Sequence, residues 1–198
     1  MRKILEASII GVTCLFLSIL ICFILSIVIV FILIISKVIS VNSLSGAMQT
    51  YIHIINYLLN PFVNNLQIFN YTLSEHGYQH FEEVKHLVSI LEILTVPLTI
   101  STILRYRYLK KKHCLWSWRN SLYILLWIGM PVGFVMAGNF NGLFIEMHKI
   151  LFKNNYWLFD PYKDSVIQLM PIQLFISCGI IILSTYELLV YILYRKVR

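Results

Sequence analysis

Residues Ala7–Ser36 read ASIIGVTCLFLSILICFILSIVIVFILIIS and contain no charged side chain. A helix needs roughly 20 apolar residues to cross the hydrocarbon core of a bilayer, so this run crosses it even when tilted. Arg2 and Lys3 precede the run as in a signal peptide. The apolar part is much too long for one, and no small-residue cleavage site follows at the right place. The stretch, about residues 7–36, is expected to remain as an uncleaved anchor.

Three more apolar stretches follow, at about 84–104, 121–137 and 172–193. The second carries Glu92 and Pro97, the third Gly129, Pro131 and Gly133, and the fourth Glu187 near its end. Pro and Gly are tolerated in membrane helices because neighbouring groups satisfy the freed backbone. Of the 198 residues 59% are hydrophobic and 13% charged, against about 25% charged in soluble domains. The expected fold is one all-α membrane domain, residues 1–198, with four transmembrane helices.

Orientation follows from Lys and Arg. Arg2 and Lys3 stand before the first span, and Arg105, Arg107, Lys110, Lys111, Lys112 and Arg119 between the second and third. Arg195, Lys196 and Arg198 close the chain, so eleven of the sixteen basic residues share one side. The positive-inside rule puts that side, and both ends, in the cytoplasm. The net charge of +7 is therefore topological, and a nucleic-acid partner is not expected. Segments of about 37–85 and 138–171 then face outward and form a small extracytoplasmic cap. Its aromatic density exceeds an interfacial belt and suggests a half-buried pocket at membrane level. Cys14, Cys22 and Cys178 lie in apolar stretches and Cys114 in a basic loop, with no spacing that suggests a metal knuckle or a disulfide framework.

Five of the six histidines fall in or beside the cap: His53, His76, His80, His86 and His148. Histidine is the side chain best poised for proton transfer near neutral pH. The stretch Leu73–His86 reads LSEHGYQHFEEVKH. As a helix with Ser74 as N-cap, it places His76, His80 and Glu83 on one face, where Glu83 could fix the tautomer of His80 or stabilise its charged form. The same pattern also suits a solvated helix start. A second stretch, Phe144–Asp164, reads FIEMHKILFKNNYWLFDPYKD. The register Phe144, Met147, Leu151 suggests a short amphipathic helix through His148, ended by Asn154 and Asn155. G-x-S-x-G, HExxH and P-loop signatures are absent, and the outward segments hold no cysteine nucleophile.

At these two stretches the chain resembles the lipoprotein intramolecular transacylase family, Lit, of Gram-positive bacteria. The first family pattern, S-E-x-G-x-x-H-F-x-D-V-K, is matched by Ser74, Glu75, Gly77, His80, Phe81, Val84 and Lys85. Glu83 stands where the family usually has Asp. The second pattern is matched by Phe144, His148, Phe152, Asn154, Trp157, Asp160, Pro161, Asp164 and Pro171. The resemblance implies four spans under an extracytoplasmic cap in the bacterial cell membrane. It implies an enzyme that moves the sn-2 acyl chain of a diacylglyceryl lipoprotein to the α-amine of that lipoprotein's N-terminal cysteine. It maps two catalytic histidines onto His80 and His148, and it implies no cofactor and no metal.

Such a transfer needs one base for the amine and one donor for the developing oxyanion or departing alkoxide, and no enzyme nucleophile. Glu83 favours His80 as the base. Glu83, Lys85, Asn154, Trp157 and Asp160 are expected to shape the pocket or orient the head group, or else to pack the cap. Two other readings compete. His76, His80, Glu83 and His148 could bind a metal in a membrane hydrolase. Alternatively, Glu92 and Glu187 could serve a non-enzymatic lipid-binding or accessory protein.

Overall fold

The computed structural model describes residues 2–197. Arg198, one of the basic residues that argue for orientation, lies outside the described residues, as do the side chains of Arg2 and Lys3. Among the described residues five α-helices follow one another: α1 (Arg2–Ile35), α2 (Leu44–Leu59), α3 (Glu75–Lys111), α4 (Arg119–Leu151) and α5 (Ile172–Val197). Short 3₁₀ turns precede α4 (Leu115–Trp118) and α5 (Ser165–Leu169), and no strand occurs among the described residues.

Helices α1, α3, α4 and α5 are long and apolar enough to cross a membrane. Their surfaces agree. On α1 a stripe of Ile24, Val28, Ile32 and Ile35 is exposed, on α3 Ile93, Val96, Ile100 and Leu104, and on α4 Phe134. Soluble proteins rarely leave such continuous apolar faces open, whereas lipid covers them at no cost.

The second helix is the addition to the sequence reading, which leaves residues 37–72 without one. Ser43 caps it, its hydroxyl accepting the Gly46 N–H at 3.3 Å. Ala47, Tyr51, Ile54, Ile55 and Leu58 are buried at helical spacing. The cap is therefore built on an amphipathic helix.

The described residues pack as two units. One holds the residues up to Ile21, Leu91–Asn139, and those from Gly179 onward. Its core includes Ile10, Leu109, Trp118, Leu122, Leu125, Tyr186 and Val190. Glu6 is half-buried there against Arg105, whose Nη2 lies 2.8 Å away, and accepts Trp118 Nε1–H at 2.8 Å. At Gly129 the absent side chain makes room for the Glu187 carboxyl, which a Cβ would strike.

The other unit holds Cys22–Ile90 and Phe140–Cys178. Val30, Ile34, Ala47, Tyr51, Ile55, Leu169 and Leu174 form one part of its core, and Ile54, Tyr57, Leu58, Phe81 and Val166 another. This unit carries both histidine-bearing stretches.

Helix α4 is interrupted at Asn139, whose backbone is non-helical (φ −156°, ψ 74°). The piece after the break carries His148, as the short helix expected there does. It ends at Leu151, before Asn154 and Asn155. The expected apolar register is corrected: Met147 and Leu151 are exposed, while His148 and Phe152 are buried. The face turned inward is the aromatic and histidine face, because its partners are the rings of the following loop and of α3.

Candidate active site

The start of α3 is pinned from far along the chain. Ser74 Oγ accepts the Gly77 N–H at 3.2 Å, the N-cap expected from sequence. Asp164 Oδ1 accepts the Ser74 N–H at 2.6 Å, and Asp164 Oδ2 accepts the Asp160 N–H at 3.1 Å. Thr72 N–H donates to Ser165 Oγ at 2.8 Å beside it. Gly77 belongs here because a Cβ would run into Leu73 and come within 3.0 Å of Asp164 Oδ1. The loop after α4 is thus tied to the first turn of α3, and His80 follows one turn later.

His80 is buried, with 6% of its surface exposed, and His148 with 9%. Their ring centroids lie 6.1 Å apart. Phe152 meets His80 edge-on at 4.7 Å and Phe159 at 5.7 Å. Phe144 and Trp157 flank His148 at 4.1 and 4.9 Å. Trp157 is held in turn, its Nε1–H donating to the Asn154 carbonyl at 3.1 Å. Two imidazoles therefore face each other inside an aromatic wall.

Their electrostatics follow from that wall. Both residues lie outside the stretches 84–104 and 121–137 expected to span the bilayer. Burial pushes the His80 pKa down to about 4, and the neighbouring His148 adds to the effect. Burial also lowers that of His148, partly offset by the Phe144 carbonyl. That carbonyl lies 2.7 Å from His148 Nδ1. A carbonyl only accepts, so Nδ1 carries the hydrogen and Nε2 of the neutral ring keeps its lone pair.

The remaining predicted residues divide. Glu83 comes to the histidines: its Oε1 accepts from Asn154 Nδ2 at 2.5 Å, and its Oε2 lies 4.0 Å from His80 Nδ1. Asn154 and Trp157 are thus beside the pair. Lys85 is engaged elsewhere, donating to the carbonyls of Asn60 (3.1 Å) and Val63 and lying over the Tyr57 ring. Asp160 shapes its own loop, accepting the Tyr162 N–H through its carboxylate. His76 is exposed and stacks on Tyr156 at 4.5 Å. Among the described residues no three His, Cys, Asp or Glu side chains are grouped to hold a metal ion. Phe159, the second ring against His80, and Asp164, which anchors the helix start, are absent from the predicted site. Asp164 stands in the second motif, and an Asp in a loop commonly accepts backbone N–H groups.

The family model described as lipoprotein intramolecular transacylase Lit matches residues 9–175. None of the curated proteins matches. Among solved structures, the membrane integral lipoprotein intramolecular transacylase Lit from Bacillus cereus superposes with a TM-score of 0.82 at 23% identity. That match covers 99% of this chain and 95% of the other. A mutant of the same enzyme with a histidine replaced by arginine superposes with a TM-score of 0.76 at 22% identity, covering 99% and 92%. At such identities the likeness is one of fold.

Proposed function

Because this chain belongs to the lipoprotein intramolecular transacylase family, a family of membrane acyltransferases, we propose that it moves the sn-2 acyl chain of a diacylglyceryl lipoprotein onto the α-amine of that lipoprotein's N-terminal cysteine. The product is lyso-form lipoprotein. The active site faces the extracytoplasmic side, where mature lipoproteins are anchored, and His80 and His148 carry the proton transfers. The observation that carries this reading is the pair of buried histidines facing each other at 6.1 Å inside an aromatic wall.

The chemistry needs little else. The amine nitrogen attacks the ester carbonyl, and the bond from that carbon to the glyceryl oxygen breaks. The cyclic intermediate runs through N, Cα, Cβ, S, two glyceryl carbons, the ester oxygen and the carbonyl carbon. Closing so awkward a ring is mainly a matter of positioning, an effect worth ~7–11 kcal/mol in well-oriented systems. Phe144, Phe152, Trp157 and Phe159 supply walls that fold the lipid back and keep out the water that would hydrolyse it.

The hydrogen-bonding of His148 supports the base's role for it, where sequence alone favours His80. Its Nδ1–H is committed to the Phe144 carbonyl, leaving Nε2 to take a proton from the attacking amine. The imidazolium so formed is stabilised by that carbonyl and returns the proton to the departing glyceryl oxygen. His80 donates a hydrogen bond to the carbonyl oxygen as negative charge builds on it.

The test is mass spectrometry of the N-terminal peptide of a reporter lipoprotein, from cells with and without this protein. Wild type is expected to give the lyso form, with the acyl chain on nitrogen. His80→Ala and His148→Ala, expressed at normal levels, are expected to give none, and substantial lyso form in either would overturn the assignment.

A further inference from the structure

His80 Nδ1 and Glu83 Oε2 are both buried, both without a hydrogen-bond partner, and 4.0 Å apart. That distance is too long for a direct hydrogen bond. Glu83 has little freedom to turn away, because Asn154 holds its other oxygen at 2.5 Å. Among the described residues no Lys or Arg pairs with Glu83, and the nearest in sequence, Lys85, is committed to Asn60, Val63 and Tyr57. A buried carboxylate oxygen and a buried imidazole nitrogen thus face each other across 4.0 Å, neither with a partner from the chain. Leaving such groups unpaired is costly, so a donor that bridges this gap from outside would be stabilised there.

We propose that this gap seats the α-ammonium of the lipoprotein's N-terminal cysteine before it reacts, making Glu83 and His80 the reader of a free N-terminus. The inference rests on the transacylase reading above. A nitrogen placed roughly 2.8 Å from each of the two acceptors subtends an angle of roughly 90°, close to the spread of two N–H bonds on a tetrahedral ammonium. Its positive charge answers the Glu83 carboxylate. The third N–H is left for His148, whose ring centroid lies 6.1 Å from that of His80.

The protons then balance. One ammonium proton passes to His148 and on to solvent, which frees the amine for attack. A second goes through His148 to the departing glyceryl oxygen. The third stays on the new amide. Accepting at Nδ1 fixes the hydrogen of His80 on Nε2. The substrate's own charge therefore sets the tautomer of His80.

The test uses purified full-length protein in bilayer nanodiscs and two lipopeptides with an ether in place of the sn-2 ester, so that no transfer occurs. One has a free N-terminal amine and the other is N-acetylated. Wild type is expected to bind the free amine roughly ten- to a hundredfold more tightly. Glu83→Gln is expected to abolish that preference while leaving the affinity for the N-acetyl peptide unchanged, which also shows that the variant is folded. Glu83→Asp keeps the charge and is expected to keep part of the preference. Equal binding of both peptides by wild type, as for a gap holding water alone, would overturn the inference, as would a preference that survives in Glu83→Gln. Neither result touches the transacylase reading, which fails only if wild type makes no lyso form from the ester substrate.

Discussion

Asp164 accepts the backbone N–H of Ser74 at 2.6 Å across ninety positions of sequence, and this bond fixes where the helix of His80 begins. Asp164 is 3% exposed and also accepts the Asp160 N–H. Replacing it by Ala leaves two backbone donors without their acceptor, at a cost of about 1–3 kcal/mol for each group left buried. Asp164→Ala is therefore expected to lower the thermal midpoint by several degrees and to reduce kcat, because His80 loses its fixed position. Asp164→Asn retains one acceptor and is expected to fall between. A wild-type midpoint in Asp164→Ala, measured by thermal unfolding in detergent, would contradict the anchoring role.

The histidine pair predicts a pH dependence of stability. His80 titrates at about 4 in the folded protein against an ordinary 6.5. Between those values the unfolded chain binds the proton and the folded chain does not, so the contribution is complete above pH 6.5 and is lost as pH falls towards 4. At 1.36 kcal/mol per unit the loss is on the order of 3 kcal/mol. Carboxylates titrate over the same range, so the quantity to measure is the difference between wild type and His80→Gln. The gap between their unfolding midpoints is expected to shift against wild type as pH drops from 6.5 to 4. Parallel curves would show that His80 is not held neutral by burial.

Lys85 separates a structural role from a substrate role. Its ammonium holds the carbonyls of Asn60 and Val63, where α2 gives way to the loop before α3. Lys85→Met is expected to cost about 1–3 kcal/mol of stability through the unsatisfied carbonyls. Its KM for a lipoprotein substrate is expected to stay near wild type at temperatures where it is folded, and Lys85→Arg to recover most of the midpoint. A large rise in KM with an unchanged midpoint would instead place Lys85 against the substrate.

Gly129 and Glu187 predict a compensating pair. A Cβ at position 129 would collide with the Glu187 carboxyl, so Gly129→Ala forces that side chain out of its place. It is expected to destabilise the protein by about 1–3 kcal/mol, the usual range for overpacking. Adding Glu187→Ala removes the obstacle and is expected to restore much of the loss, so the two changes should be strongly non-additive. Simple additivity in the double variant would refute the contact.

The four apolar helices are legible in the sequence because a bilayer sets a length and a composition that little else requires. The start of α3 is legible through Ser74, whose cap depends only on its neighbours. The limits appear wherever a partner is remote. Periodicity puts His76 and His80 on one face, yet Tyr156 stacks on the first and Phe152 and Phe159 enclose the second. No local rule says how a loop some seventy residues later will fold back. The tautomer of His148 is similarly hidden, since it depends on which way the ring turns towards the Phe144 carbonyl. Helix α2 is a different case: Ser43 and the spacing of Ala47, Tyr51, Ile54 and Leu58 were sufficient to expose it.

The break at Asn139 has a mechanical meaning. An intact helix passes any axial push or tilt along its whole length, whereas a helix with one non-helical residue bends there first. When a span meets a thicker or thinner bilayer it tilts to match, at a cost of fractions of a kcal/mol per Å. In α4 that tilt can be taken up at Asn139, before it reaches the turn that carries His148. A joint there lets the helical piece that carries His148 keep its own packing.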